Sequence, residues 1–338
     1  MVDQEDVLEL VQPILDHLRD VITGPDHLGF LIAWLAQQVQ DPAHPTHVAI
    51  ILQGEHGVGK NLVFDFWQRE VLGAGTAINT SNPGKDIFGT HSVLLLNGVF
   101  LLLDEISGEE MRPLMPRIKD LITAATVNLN PKNQTPYAAR NLSNILCTTN
   151  QNNPVNIEPR ERRFVVFDCN SSKKDNTTYF DELVAYLKRD DVARAFFQYM
   201  RDHVDVRPYL PFQAHRPQTD AYDAMQQRNI PLFYKFLSAQ AEHALGTVGQ
   251  EQTSLMGREF HQNFLNWGRE GNYNTSKCTE SAFGVDVGKL INEMTAVDPS
   301  QSALKKTRSG GGQRYTIHWR KLRDVLQKTK RYDPNAAV

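Results

Sequence analysis

A chain of 338 residues with 41% hydrophobic residues can bury one large core or two to three small ones. The net charge is −3, and the three cysteines (Cys147, Cys169, Cys278) lie far apart without metal-ligand spacing, which excludes a zinc framework or a disulfide scaffold and points to reduced, buried thiols. An acidic start (MVDQEDVLEL) and the lack of an apolar run of transmembrane length argue against a secretory leader and a membrane partner, so a cytoplasmic setting is expected.

Residues 1–40 carry apolar side chains at spacings of three and four (VLELVQPILDHLRDVI, then GPDHLGFLIAWLAQQVQ), which predicts an N-terminal helical segment broken at Gly24-Pro25. A proline-bearing connector, DPAHPTH, leads to VAIILQGEHGVGKNLVFDF (48–66). This stretch reads as a buried strand, a glycine-bearing turn and a helix start. Gly54, Gly57, Gly59 and Lys60 have the spacing of a loop that cradles phosphate, because glycines let successive backbone N–H groups face an anion and the lysine reaches the terminal phosphates. The following position, usually Ser or Thr for Mg²⁺, is Asn61, whose amide oxygen is the candidate metal ligand in its place.

The apolar run at 99–103 ends in Asp104 and Glu105, the point at which a nucleotide hydrolase needs one carboxylate for the Mg²⁺ shell and one to activate water. A short helix is expected at about 114–124, then a polar hairpin around NLNPKNQTP with Lys132 at its tip. The strand LSNILCTTN (142–150) closes on Asn150, a candidate for orienting the attacking water. Arg160, Arg162 and Arg163 stand directly before the strand FVVF, and guanidinium suits phosphate charge.

Helical periodicity resumes over 176–245, interrupted by VRPYLPFQAHRPQ, which predicts the end of the core near residue 205. The division expected is a helical segment (1–40), a nucleotide-binding core (41–205), a helical linker (206–250) and a terminal domain (251–338). Between 301 and 331 ten Lys or Arg residues face a single acid, Asp324, a polyanion-binding composition. Two helices followed by SALKKTRSGGGQRYTIHW outline a winged-helix-like α+β domain whose wing carries Lys305, Lys306, Arg308 and Arg314.

In order and spacing, WLAQQV with ILQGEHGVGKN, FLLLDE, VNLNPKNQTP, ILCTTN and RRFVVFD resemble the superfamily 3 helicases of viruses and phages. The likeness is to the helicase module of phage and plasmid primase-helicases, including modules fused behind a primase-polymerase domain. That resemblance implies an α/β fold of the AAA+-like P-loop ATPase type with a central parallel sheet, using ATP and Mg²⁺. It also implies a homo-oligomeric, hexameric ring around single-stranded DNA. Lys60 would hold the β and γ phosphates, Asp104 the Mg²⁺ through water, Glu105 would be the general base and Asn150 would position water. Arg163, with Arg162 as second choice, would be the finger supplied to a neighbouring subunit, and Lys132 would grip DNA in the channel. A primase-polymerase domain on the same parent chain is a further implied partner. The competing reading is a nucleotide-regulated DNA-binding or loading protein with little turnover, for which Asn61 speaks; single-stranded DNA stimulates phosphate release in the first case only.

Overall fold

The computed structural model describes residues 4–90, 93–158, 161–297, 302–309 and 312–336. Two compact units divide the chain: residues 1–157 with 161–225, and residues 158–160 with 226–338.

The first unit begins with α1 (Gln4–His17), extended by a wide turn over Leu18–Thr23, and α2 (Leu28–Gln40). Then come β1 (Ala49–Gln53), α3 (Leu62–Phe66) with a wide turn to Leu72, β2 (Ala77–Thr80), α4 (Pro83–Asp86), β3 (Phe100–Leu103) and α5 (Gly108–Thr123). They are followed by β4 (Thr126–Leu129), β5 (Tyr137–Arg140), β6 (Asn144–Thr149), β7 (Phe164–Asp168), α6 (Thr177–Leu187), α7 (Asp190–Asp202), α8 (Phe212–His215) and the start of α9 (Asp220–Arg228), whose residues from Gln226 belong to the second unit. Five strands form a parallel sheet in the order β2-β3-β6-β1-β7, while β4 and β5 make a separate antiparallel hairpin.

The unbroken apolar runs of β1, β3 and β7 follow from this topology, since a parallel sheet covered on both faces buries consecutive residues. Ile50, Leu52, Phe100, Leu102, Leu146 and Val165 pack on one face with Val11, Trp34, Phe64 and Phe196 of the helices. Ile51, Leu101, Leu103, Ile145, Cys147 and Val166 pack on the other with Met111, Met115 and Ile118 of α5. Alternation along each strand sends neighbours to opposite cores.

Two sequence expectations change here. Residues 1–40 are not a separate segment: Val7, Val11 and Trp34 are wholly buried in the core of the sheet. Nor does the core end near 205, because Phe212 lies in one core and Tyr222 and Met225 in the other. Helix α5 also starts six residues before the expected 114. Ser107 caps it, accepting from the Glu110 N–H at 3.3 Å while the Glu110 carboxylate accepts from the Ser107 N–H, and the apolar stripe from Met111 to Ile122 holds it across Pro113 and Pro116.

The second unit holds α10 (Leu232–Glu242), β8 (Gln252–Met256), α11 (Gly257–Glu270), α12 (Glu280–Val297), β9 (Leu304–Ser309), β10 (Gly312–His318) and α13 (Trp319–Lys328). Its antiparallel sheet runs β8-β10-β9. Residues 232–242, expected in a linker, are core: Phe236 is fully buried, with its ring 5.4 Å from Phe264 and 5.8 Å from Phe260 and Trp267. The expected start at 251 therefore falls one helix late. Cys147 and Cys169 are buried as expected, whereas Cys278 is only half-buried. Among the described residues no helix is long and apolar enough to cross a membrane.

Candidate functional site

The C-terminal ends of β1, β3 and β6 lie level with one another. Gln53 pairs with Thr149 and Leu103 with Cys147, so the turn after β1 and the acids after β3 flank the end of β6. In the turn, Gly57 and Gly59 have φ of +78° and +89°, the left-handed region that favours glycine. Gly59 is constrained twice, since a Cβ there would stand 2.6 Å from the Phe180 ring and 3.0 Å from the His17 ring. Gly54 likewise backs onto the Cβ of Cys169, 3.0 Å from where its own would lie. Lys60 curls back over the turn and its ammonium donates to the Gly54 and Glu55 carbonyls, both at 2.7 Å. Burial lowers the Lys60 pKa, and the charges of Glu105 and Asp104 oppose that shift.

Asp104 is tied directly to the turn. Its Oδ1 accepts from Asn61 Nδ2 at 2.6 Å and from Thr148 Oγ1 at 2.6 Å, and Thr148 Oγ1 accepts the Glu105 N–H at 3.0 Å. Glu105 itself has φ +51°, a conformation that costs a non-glycine residue about 1–3 kcal/mol and aims its side chain over the end of β6. There its Oε1 lies 3.5 Å from Nδ1 of His56, whose Nε2 contacts the Asn150 amide. A single tautomer satisfies both contacts: Nδ1–H faces the carboxylate and Nε2 accepts from the amide. The resulting cleft, about 430 Å³, is lined by His56, Lys60, Glu105, Asn150, Phe180 and Val184 among others.

Among the described residues no group of three or more His, Cys, Asp or Glu side chains is gathered for a metal. The oxygen-bearing side chains gathered beside the turn are instead the Asp104 carboxylate with the Thr148 hydroxyl and Asn61 amide bonded to it, and Asp65 and Glu105 also line the cleft. That set fits a hard cation that keeps waters and shares substrate phosphates, as Mg²⁺ does.

The arginines stand elsewhere. Arg163 precedes β7 at the opposite end of the sheet, its carbonyl accepting the Ala49 N–H, so the length of β1, about 13 Å by strand rise, separates it from the cleft of its own chain. Its guanidinium is engaged, 3.1 Å from the buried Glu161 carboxylate that also holds Lys119 at 3.2 Å. Arg162 is exposed, and Arg160 lies outside the described residues. Lys132 is exposed in the loop joining β4 to β5, beside Asn133 at φ +62°, and does not line the cleft. Lys305, Lys306, Arg308 and Arg314 are exposed on β9 and β10 of the second unit.

Sequence reading missed four contributors, because His56 and Thr148 occupy positions that the turn and strand patterns leave unspecified and His17 and Phe180 lie outside any motif. His56 and Thr148 join the turn to the acids, as described. His17, fully buried, sends Nε2 to the Gly59 carbonyl at 3.1 Å and Nδ1 to the Tyr179 hydroxyl at 2.9 Å. Donation to a carbonyl requires Nε2–H, so Nδ1 accepts from Tyr179 and the ring is neutral, in line with burial lowering its pKa. Phe180 closes the wall above Gly59.

Residues 52–163 match a family of unknown function (DUF5906). The chain is 29% identical over 195 residues to the DNA primase-polymerase of Nitratiruptor phage NrS-1, an alignment covering 57% of this chain and 26% of that protein. The chain thus matches about a quarter of the length of this curated relative. Among solved structures, the apo C-terminal region (305–718) of NrS-1 is similar with a TM-score of 0.56 at 19% identity, covering 92% of this chain and 75% of that one. A second apo form of that region gives a TM-score of 0.58 at 18% identity with the same coverage. At such identities the likeness to the solved structures is one of fold: an α/β architecture with a central parallel sheet.

Proposed function

We propose that the chain is a nucleoside triphosphatase of phage DNA replication, a P-loop ATPase of the AAA+-like, superfamily 3 type that uses ATP hydrolysis to move along single-stranded DNA. The observation that carries this reading is the Asn61–Asp104–Thr148 linkage, which ties the acidic strand end to the turn holding Lys60. The similarity to a phage primase-polymerase favours DNA replication as the setting.

Lys60 is the cation that would receive the triphosphate once it exchanges its two loop carbonyls for phosphate oxygens. Asp104, Asn61 and Thr148 would hold Mg²⁺, whose charge neutralises the phosphates. Glu105 would accept the proton of the attacking water, and Asn150 would orient that water. Val184 and Phe180 supply an apolar wall against which a base can rest. For the residue supplied by a neighbouring subunit of a ring, exposure favours Arg162 over Arg163, since Arg163 must first leave Glu161. Such a finger is worth on the order of 10³–10⁵ in rate. Lys132, in an exposed loop, suits a phosphate contact in the channel of that ring. The helix–strand–helix–helix–strand–strand order of α10 to β10, followed by α13, favours a winged-helix reading of the second unit, in which Lys305, Lys306, Arg308 and Arg314 would lie on the wing.

The test is phosphate release with and without single-stranded DNA, for the parent chain and for Glu105→Gln. Stimulated release abolished by Glu105→Gln supports a motor. The second reading, a nucleotide-regulated DNA-binding or loading protein, is favoured by Asn61 in place of a hydroxyl residue; nucleotide binding with release near background in the parent chain would select it.

A further inference from the structure

In the winged-helix unit the cations are divided unevenly between the helix and the hairpin. Helix α12, the second of the two successive helices, carries Glu280, Asp286 and Glu293 against Lys289 alone, and Lys289 lies 3.6 Å from Asp286. Residues 302–318 carry Lys305, Lys306, Arg308 and Arg314 with no acid. Among the described residues none of these four makes an ion pair, whereas Arg320, Arg323 and Arg331 pair with Glu251, Glu242 and Glu293. With Asp286 paired to Lys289 and Glu293 to Arg331, α12 is left with the carboxylate of Glu280 and no unpaired cation, so it offers a phosphate backbone no attraction at the close range that groove insertion needs.

Register gives the hairpin cations their geometry. Tyr315 and Ile317, both buried, mark the core face of β10, and directly opposed residues share a face. Lys306, opposite Tyr315, and Arg308, opposite Gln313, therefore lie on the core side but beyond the core, and both are exposed. Lys305 and Arg314 lie on the outer side, opposite Thr316 and Thr307. There a short hydroxyl surface adjoins them, with Ser254 and Thr316 hydroxyls 2.9 Å apart. Because β9 is the edge strand, its Lys305, Lys306 and Arg308 reach one margin from both faces, and Arg314, one strand in on β10, stands diagonal to Lys305 on the outer face. Lysines on an edge strand also guard against edge-to-edge aggregation, so charge here has a second physical reading.

Resting on the nucleic-acid reading above, we propose that the second unit holds nucleic acid along the β9 margin, through the sugar–phosphate backbone clasped by Lys305 and Arg314 from one face and Lys306 and Arg308 from the other, with the Lys289 turn of α12 outside the contact. Phosphates carry no base identity, so this contact is independent of sequence and strongly salt-dependent.

The experiment uses the full chain, a fluorescent oligothymidylate and a salt series, with circular dichroism melts confirming folding of each variant. Lys305→Gln/Arg314→Gln and Lys306→Gln/Arg308→Gln should each weaken binding, and each should flatten the slope of log affinity against log salt by about 1.4, at about 0.7 per lost single-strand phosphate contact. Lys289→Glu should leave affinity within twofold. Loss confined to one of the two pairs overturns the clasp, as does a tenfold loss on Lys289→Glu. Unchanged binding with increased aggregation in both pairs assigns the lysines to edge protection and overturns the proposal, while the ATPase reading of the first unit stands. No binding of the oligonucleotide by the parent chain overturns the nucleic-acid reading itself and this proposal with it.

Discussion

His56 is where the chemistry of the turn and of the acids meet. Poised between Glu105 and Asn150, it would position both in the proposed hydrolysis. His56→Ala is therefore expected to lower kcat at least tenfold, a change of about 1.4 kcal/mol in barrier, while nucleotide affinity stays within twofold. His56→Gln, which keeps a donor and an acceptor, should recover part of the rate; equal loss of binding and turnover would instead assign His56 to loop structure. Lys60→Ala is expected to abolish nucleotide binding measured by fluorescent-nucleotide titration, since Lys60 is the cation built into the turn. His17 gives a pH signature. Its folded pKa is lowered by burial, so the stability it contributes is present above about pH 6.5 and is lost as pH falls through the lowered folded value. Melting temperature should accordingly drop on acidification below about pH 6.5, and His17→Gln should flatten that part of the profile.

At the scale of elements, helix α5 illustrates local chemistry overriding a breaker. Prolines at 113 and 116 suggest a late helix start, yet the Ser107–Glu110 capping box and a buried methionine and isoleucine stripe carry the helix from Gly108. Ser107→Ala should destabilise the first unit by about 1 kcal/mol, lowering its melting point by about 2–4 °C. The β4–β5 hairpin is of the opposite kind. Its strands pair over four residues each and its loop presents Lys132 to solvent. Lys132→Ala should leave nucleotide binding and folding intact and reduce DNA-stimulated turnover and unwinding of a forked duplex; unwinding at the parent rate would remove the hairpin from the DNA path.

For the whole molecule, two units with separate cores imply separate melting. Calorimetry should resolve two transitions, and Mg²⁺ with a non-hydrolysable nucleotide should raise only the one belonging to residues 1–225, by about 2.7 kcal/mol at a hundredfold excess over Kd. A shift of both transitions together would mean that the units unfold as one.

Patterns of short range were legible without coordinates. The strand–turn–helix at 48–66, the acids after the 99–103 run, the strand closing at Asn150 and the two-helix-plus-hairpin outline all follow from side-chain period and glycine chemistry acting over a few residues. Where one unit ends and the next begins was not legible, nor that α10 is core rather than linker, because an apolar stripe states that a helix must be covered without stating by what. The same holds at the site. Sequence offered Lys60, Asn61, Asp104 and Glu105 as separate points, while His17, His56 and Thr148 gain a role only once parallel strands bring residues as many as 87 positions apart, Asn61 and Thr148, to one carboxylate. Hydrogen bonding needs atoms within about 3 Å, and only the tertiary fold decides which atoms those are.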